Sequence, residues 1–509
     1  MKRIFCFLAF LFSFSSCKAE TINTKVNEAD SIREPVFAGQ FYSADSTILA
    51  NQVKIFLENA IPPQVDNSLA IIVPHAGYIY SGQIDADGYN QVKQNKYDLI
   101  VVLGTNHTTY GFSGVSVYPK GMFATPIGSA KIDEVIAEEL LKKDSDVTAN
   151  LEVHKKEHSI EVQIPFIKYL FPQAKILPII VGEPNVKMCK KFARTLAALI
   201  KNKKVLIVAS SDLSHYPNFD DAMKVDNKTL KTISGLNSDE IISEMQKQMG
   251  ESIPQLVTCA CGEAPIIAAI ELAKELGANS ASVISYSNSG YNPVGSTGRV
   301  VGYGAVVISK GTNLQQHDVD SLVTNKSYIL SSLDKKTLLK FARSTLEQYF
   351  TVQTVPLPRN MNPMLRIKRG AFVTLRKRGD LRGCIGHMSE DTPLYTIVGT
   401  MALQAAFNDR RFSPLTQEEL SRVEIEISVL TPFTQIKNAD DIVLGRDGVI
   451  VKKSGRQAVF LPQVATETGW SKKEFLDQLC FKAGLDAGDW KDAELFTFQA
   501  IVFSESEFR

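Results

Sequence analysis

The chain has 509 residues, too many for one ordinary domain, so two or three are expected. Its composition, 44% apolar and 22% charged, is that of a folded globular protein and excludes a disordered or low-complexity polypeptide. Lys and Arg number 56 against 55 Asp and Glu, so no basic surplus marks a nucleic-acid binder and no block of like charge marks a tail.

In chain order, the first element stands apart from any fold. Met1-Lys2-Arg3 supplies positive charge, residues 4–14 are almost wholly apolar, and Ser15-Ser16 puts two small residues before Cys17. Residues 1–17 therefore read as a secretory signal, too short for a membrane helix. Beyond them no apolar run approaches the roughly 20 residues that span a bilayer. The cysteine after the small pair is similar to a bacterial lipobox, in which Cys17 becomes the lipidated first residue of the mature protein. That lipid would be its one hold on a membrane, with the protein facing the periplasm or the cell exterior. Phe14 stands where such motifs usually carry an aliphatic residue, and a plain signal peptide cut nearby is the alternative. Residues 18–32 read as a polar tether.

From 33 to 310, apolar β-branched runs at 69–73, 99–103, 176–181, 205–208, 282–286 and 301–308 alternate with helical patterns at 132–141, 186–200 and 265–276. The alternation predicts an α/β unit: a largely parallel sheet with helices on both faces. Sites in such sheets form beyond the carboxyl ends of the strands. The run at 69–73 leads into Pro74-His75-Ala76-Gly77-Tyr78, and the run at 99–103 into Gly104-Thr105-Asn106-His107. The run at 205–208 leads into Ser210-Ser211-Asp212-Leu213-Ser214-His215. Any one of these histidines reads as well as a core or surface residue. Three of them with Asp212, at three converging strand ends, predict a shared site.

Two further groups join it. Cys261 precedes a helix with Pro265 in its first turn, where the positive end of the dipole is expected to lower the thiol pKa. The alternative for Cys261 taken alone is a small buried hydrophobe. Glu157-His158-Ser159-Ile160-Glu161 forms a polar cluster at a helix entry, with Glu157 and Glu161 one turn apart. Two neutral imidazoles and a thiolate suit iron(II), zinc or copper(I) rather than magnesium or calcium. The seven cysteines are too sparse for a disulfide scaffold, and Cys259 and Cys261 lie too close together for an ordinary bridge.

Residues 311–333 read as a polar linker, and 334–509 as a smaller α+β unit. Asp334 is read as the N-cap of a helix presenting Leu338, Phe341, Ala342 and Leu346 on one face. Strands are expected at 371–375, 423–430 and 448–451. Cys384, beside Arg382 and flanked by Gly383 and Gly386, reads either as an approachable activated thiol or as a turn residue packed inward. Asp409 and Arg411 read as a paired charge.

The segment Arg33-Glu34-Pro35-Val36-Phe37-Ala38-Gly39-Gln40-Phe41-Tyr42 resembles the opening signature of the Memo family. Pro74-His75-Ala76-Gly77-Tyr78, Glu157-His158-Ser159-Ile160-Glu161, Ser211-Asp212-Leu213-Ser214-His215 and Cys261-Gly262 are similar to its later motifs, in the same order, across residues 33–309. The resemblance implies a fold like that of class III extradiol dioxygenases. It implies His75, His107 and Cys261 as ligands of one transition metal per chain, with iron(II) or copper(I) favoured and zinc the alternative. It places Asp212 and His215 facing the metal, His215 moving a proton and Asp212 orienting it, with His158 and Glu157 as further catalytic candidates. A cysteine where true dioxygenases carry glutamate makes the site softer and speaks against catechol ring cleavage.

Leu381-Arg382-Gly383-Cys384-Ile385-Gly386-His387, Asn408-Asp409-Arg410-Arg411-Phe412-Ser413-Pro414-Leu415 and Glu424-Ile425-Glu426-Ile427-Ser428-Val429-Leu430 resemble the AMMECR-type domain. A Memo part followed by an AMMECR-type part is similar to the AmmeMemoRadiSam system, protein B joined to protein A. That implies a radical-SAM protein as partner and a small molecule or peptide as substrate. The chain has no Cys-x3-Cys-x2-Cys motif, so it is not itself the radical enzyme, and export would separate it from a cytosolic iron–sulfur partner. Three readings follow: a metal-dependent oxidoreductase, a non-catalytic copper or iron binder, and a protein or peptide interaction module.

Overall fold

The structure, a computed structural model, describes residues 32–311, 330–359 and 362–508. The expected signal segment with Cys17, nearly all of the tether and most of the linker lie outside the described residues. The first domain is built on an eight-stranded sheet. Its strands in chain order are β1 (Ser68–Val73), β2 (Leu99–Thr105), β3 (Val115–Val117), β4 (Val147–Thr148), β5 (Lys175–Val181), β6 (Val205–Ser210), β7 (Ser280–Asn288) and β8 (Gly302–Ser309). They lie side by side in the order β7-β8-β1-β6-β2-β5-β3-β4. The central four, β1, β6, β2 and β5, are parallel. The strands β7 and β8 join antiparallel on one flank, and β3 runs antiparallel to β5 on the other.

The apolar runs form strands because both faces are covered, so no polar alternation is needed. Along β1, Ala70 and Ile72 point into one core with the helices Val186–Ile200 and Glu263–Glu275. Ile71 and Val73 point into the opposite core with Ser46–Glu58, Tyr78–Asn90 and Ile164–Leu170, as the two-residue period of a strand requires. A small three-stranded sheet of Ile32–Arg33, Met122–Thr125 and Gly128–Lys131 lies outside the expected elements.

The second domain has the expected mixed character. An antiparallel sheet orders Asp380–His387, Ala371–Lys377, Val423–Leu430 and Ala500–Ser504. The helices Ser332–Val352 and Leu394–Phe407 share its core. A second four-stranded sheet packs on the helix Lys472–Lys482. The N-cap assignment shifts by one turn. Ser331 is the cap, and Asp334 is its partner three residues on, accepting from Ser331 N and Oγ while Ser331 Oγ accepts from Asp334 N.

The domains touch. Arg359 donates to both oxygens of the buried Asp87 at 2.6 and 2.7 Å, and Gln52 Nε2 donates to Val352 O at 2.7 Å. No helix among the described residues is long and apolar enough to cross a membrane.

Candidate metal centre

Strand order decides where the site forms. The strands β1, β6 and β2 are consecutive neighbours, about 4.8 Å apart. The loops that leave their carboxyl ends therefore lie side by side, bringing His75, Asp212 with His215, and His107 together. Cys261 comes from a fourth segment. Gly262, between Cys261 and the helix Glu263–Glu275, packs so closely on the Ser210–Ser211 backbone that a Cβ there would lie 2.5 Å from Ser211 Cβ. The absence of a side chain lets Cys261 N bond Asp212 O at 3.3 Å.

Donor atoms of His75, His107 and Cys261 lie within 4.8 Å of one another, with Cys261 Sγ 3.0 Å from His75 Nε2. The groups His107/Glu157/His158 and Asp212/His215/Cys261 meet the same criterion. Ring centroids of His75, His107 and His158 are 4.6–5.1 Å apart. The sequence motifs thus converge as expected, and all seven candidate residues of the first domain are in one place.

Hydrogen bonds fix which nitrogen of His75 and of His107 is free. Ser210 Oγ donates its one proton to Ser159 O at 2.6 Å, and it accepts from Gln163 Nε2 at 3.1 Å. Toward His75 Nδ1, 3.2 Å away, it can only accept. His75 therefore carries its proton on Nδ1, and Nε2 presents a lone pair beside Cys261. His107 Nδ1 faces Glu157 Oε1 at 2.9 Å, which leaves its Nε2 bare. Orienting an imidazole through its second nitrogen is how proteins prepare histidine ligands. Gln163 carries no sequence signal, and Ser210 stands at the head of the motif 210–215 with nothing local to mark its part; both roles appear only with the fold.

Glu157 is fully buried and holds several donors. Its Oε1 also accepts from Ser159 N at 2.9 Å and its Oε2 from His107 N at 2.8 Å. Burial pushes its pKa up, but hydrogen bonding and charge from His107 outweigh that and hold it at about 2. Burial lowers His75 well below the usual histidine range and lowers His215; it takes His158 to about 3. Those three imidazoles are neutral at neutral pH, as ligands or proton acceptors must be.

Two expectations change. Burial, and then the charge of Asp212, push the Cys261 thiol well above its ordinary value, against the helix-dipole expectation. Cys261 lies just before the N-cap, and desolvation exceeds what the dipole supplies there. A thiolate at this position needs a cation beside it. Asp212 does not hydrogen-bond His215: Asp212 Oδ2 and His215 Nε2 are 4.0 Å apart. Asp212 Oδ1 instead accepts from His75 N at 2.7 Å and Ala76 N at 3.2 Å, pinning the His75 loop. His215 Nε2 is buried with no hydrogen-bond partner among the described residues. An orphaned imidazole nitrogen beside two bare ones and a thiol is a donor set suited to a soft or borderline metal.

Glu161, one turn from Glu157, belongs to a separate clamp. It pairs with Arg33 at 2.6 Å and accepts from Val36 N, Phe37 N and Tyr42 Oη. The clamp sets Phe37 and Phe41 against the His158 ring, at centroid distances of 5.5 and 4.8 Å.

In the second domain, Cys384 lies apart from any metal-like group among the described residues. Arg382 is engaged with Glu419 at 2.9 Å and with Ser413 O. Cys384 Sγ accepts from Thr374 Oγ1 at 3.2 Å. Asp409 and Arg411 do pair, at 2.7 Å, and they staple the strand: Asp409 accepts from Cys384 N and Arg411 donates to Cys384 O.

Comparison with known proteins assigns a family to each domain. Residues 33–307 match the family model described as Memo-like protein, and 339–503 match that described as AMMECR1. A MEMO1 family protein of Aquifex aeolicus is 37% identical over 273 residues, covering 53% of this chain and 97% of the relative. One from Methanobrevibacter smithii is 33% identical over 288 residues, covering 53% and 98%. The crystal structure of an uncharacterized protein from Pyrococcus horikoshii is 35% identical, covers 35% of this chain and 93% of its own, and has a TM-score of 0.32.

Proposed function

The chain belongs to the Memo family, and from that premise we propose that His75 Nε2, His107 Nε2 and Cys261 Sγ hold one iron(II) or copper(I) ion in a dioxygenase-like, metal-dependent oxidoreductase. The observation that carries this reading is the pair of imidazoles whose second nitrogens are committed to Ser210 and Glu157, with a thiol 3.0 Å from one bare nitrogen. A bound redox metal would supply one-electron chemistry and open positions for a small substrate or oxygen. The protein's residues do the rest. The His107 side chain is 28% exposed, so the site opens to solvent on that side. His215, neutral through burial, is the proton acceptor, and the Asp212 carboxylate 4.0 Å away is the countercharge when it is protonated. Phe37 and Phe41 wall off His158.

Around this centre we place the remaining expectations. The protein is exported and held by a lipid on Cys17, and a radical-SAM protein of the same system acts with it. The test is the metal content of wild type, Cys261→Ala and His75→Ala, each purified without affinity metals. About one metal per wild-type chain, lost in both variants, supports the reading. No metal in wild type after anaerobic reconstitution sinks it and favours an interaction module. A metal held without any perturbation of its spectrum by oxygen or small ligands favours storage over turnover.

A further inference from the structure

The backbone of His215 is the middle of a short three-segment ladder. On one side His215 bridges Thr258, donating from N to Thr258 O at 3.0 Å and accepting from Val257 N at 3.1 Å. That neighbour leads within three residues to Cys261. On the other side His215 bridges Val301: Gly302 N donates to Ser214 O at 2.9 Å, and Tyr216 N donates to Val300 O at 2.7 Å. That second neighbour ends the segment 289–301, which joins β7 to β8.

The same segment meets the second domain. Tyr291 stacks on Tyr395 at 6.3 Å between centroids, with its other side against Phe219 at 4.6 Å. Thr396 Oγ1 donates to Tyr291 O at 3.4 Å. Pro293 lies over Gly399, where a Cβ would approach Pro293 Cγ to 2.7 Å. Thr297 and Thr392 hydroxyls meet at 3.5 Å, and Lys368 pairs with Asp220 at 2.9 Å.

Three features show that the ladder is held rather than relaxed. Tyr216 has φ +75°, a conformation that a bulky residue adopts only when its surroundings impose it. The guanidinium of Arg299, from the segment 289–301, lies 3.8 Å over the Tyr216 ring. A buried Asp226 accepts from Ser214 N at 2.8 Å, and it belongs to the helix Phe219–Ser234 that Tyr291 packs against.

We infer that the second domain is a positioning element of the metal centre. Its helix Leu394–Phe407 presses on the segment 289–301, and that segment sets the place of His215. The first domain alone has the donor set, but the docked helix completes the support of the residue that moves the proton. The inference concerns the His215 backbone and stands whether or not a metal turns over there, so it is tested on metal-free, full-length protein.

The variant is Thr396→Arg, which puts a long cation into the docking face of the second domain without entering that domain's core sheet. Lys368→Glu, a surface change that opposes Asp220, acts in the same direction by less and serves if the first variant does not fold. Hydrogen–deuterium exchange is followed by peptide. Exchange at 213–217 and 297–302 is expected to accelerate about tenfold in Thr396→Arg, while β2 keeps wild-type protection. Alkylation of Cys261 rises with it, because the Thr258 side of the ladder loosens. Wild-type protection at 213–217 in both variants overturns the inference, whatever happens at 394–400.

Discussion

Glu157→Gln isolates the orienting role of a buried carboxylate at nearly constant shape. Glu157 accepts on both oxygens: Oε1 from His107 Nδ1 and Ser159 N, Oε2 from His107 N. A glutamine has one acceptor oxygen and must place its amide NH2 either against His107 N–H or against both His107 Nδ1 and Ser159 N–H. With oxygen at the Oε1 position, the NH2 faces the His107 backbone N–H, and a buried donor loses its partner at a cost of about 1–3 kcal/mol. With oxygen at the Oε2 position, the NH2 faces His107 Nδ1, which must then give up its proton. The proton moves to Nε2, the nitrogen needed for the metal. Either way the ligand is mispositioned or mis-tautomerised, and metal affinity should fall about 10- to 100-fold, or about 1.4–2.7 kcal/mol. A competition titration against a chromophoric chelator reads the affinity, and thermal unfolding of the metal-free protein reads the fold. Affinity within twofold of wild type, together with a lowered melting temperature, would refute the reasoning and leave Glu157 a structural residue.

Three other outcomes follow from the same geometry. His154 is buried and burial takes it to about 3, so its neutral form gives stability that is present above pH 6.5 and lost as pH falls toward 3. His154→Gln should flatten the stability–pH slope by about 1.4 kcal/mol per pH unit below 6.5 in urea titrations; an unchanged slope removes His154 as the cause. Asp212→Asn keeps an oxygen for His75 N and Ala76 N but removes the charge that helps to push the Cys261 thiol up. Alkylation of metal-free Cys261 by iodoacetamide at pH 8 should become several-fold faster, and an equal or slower rate contradicts the electrostatic account. Arg359→Ala leaves Asp87 buried without the Arg359 Nη2 that bridges its two oxygens and should cost about 3 kcal/mol in chemical unfolding, whereas Lys368→Ala, breaking an exposed pair, should cost less than about 1 kcal/mol. Equal effects would mean that the domain contact is not carried by the buried pair.

What was legible in the sequence follows from which signals are local. The β-branched runs marked β1, β2, β5 and β6 because strands covered on both faces need no other code, and their ends located His75, His107 and His215. The helix Tyr78–Asn90 gave no periodic signal since it is buried nearly all round, with Asp85 and Asp87 inside rather than out. Strand order is not written locally either: only the adjacency of β1, β6 and β2 explains why three loops meet. Glu157 and Glu161 looked alike, one turn apart, yet one orients His107 and the other anchors Arg33. The difference comes from residues over a hundred positions away. Asp334 reads as a cap although the cap is Ser331, one turn earlier, because the two bond reciprocally and either residue type caps a helix.

The two thiols that drew attention separate on the same grounds. Cys261 precedes a helix N-terminus and Cys384 lies in a strand between Gly383 and Gly386, settings that give each a claim to reactivity. Cys261 sits within ligand distance of an imidazole whose tautomer is fixed, in a pocket that disfavours a bare thiolate. That combination suits metal binding: the metal displaces the thiol proton, and affinity should therefore rise with pH in the neutral range. Cys384 faces a threonine hydroxyl, with its backbone stapled by Asp409 and Arg411, and it belongs to no group of three metal-ligating side chains among the described residues. Any chemistry at Cys384 must come from a group brought to it, whereas Cys261 has its partners built into the fold. On the proposed reading, function begins at the His75, His107 and Cys261 group, and the second domain bears on it through the segment 289–301 rather than through Cys384.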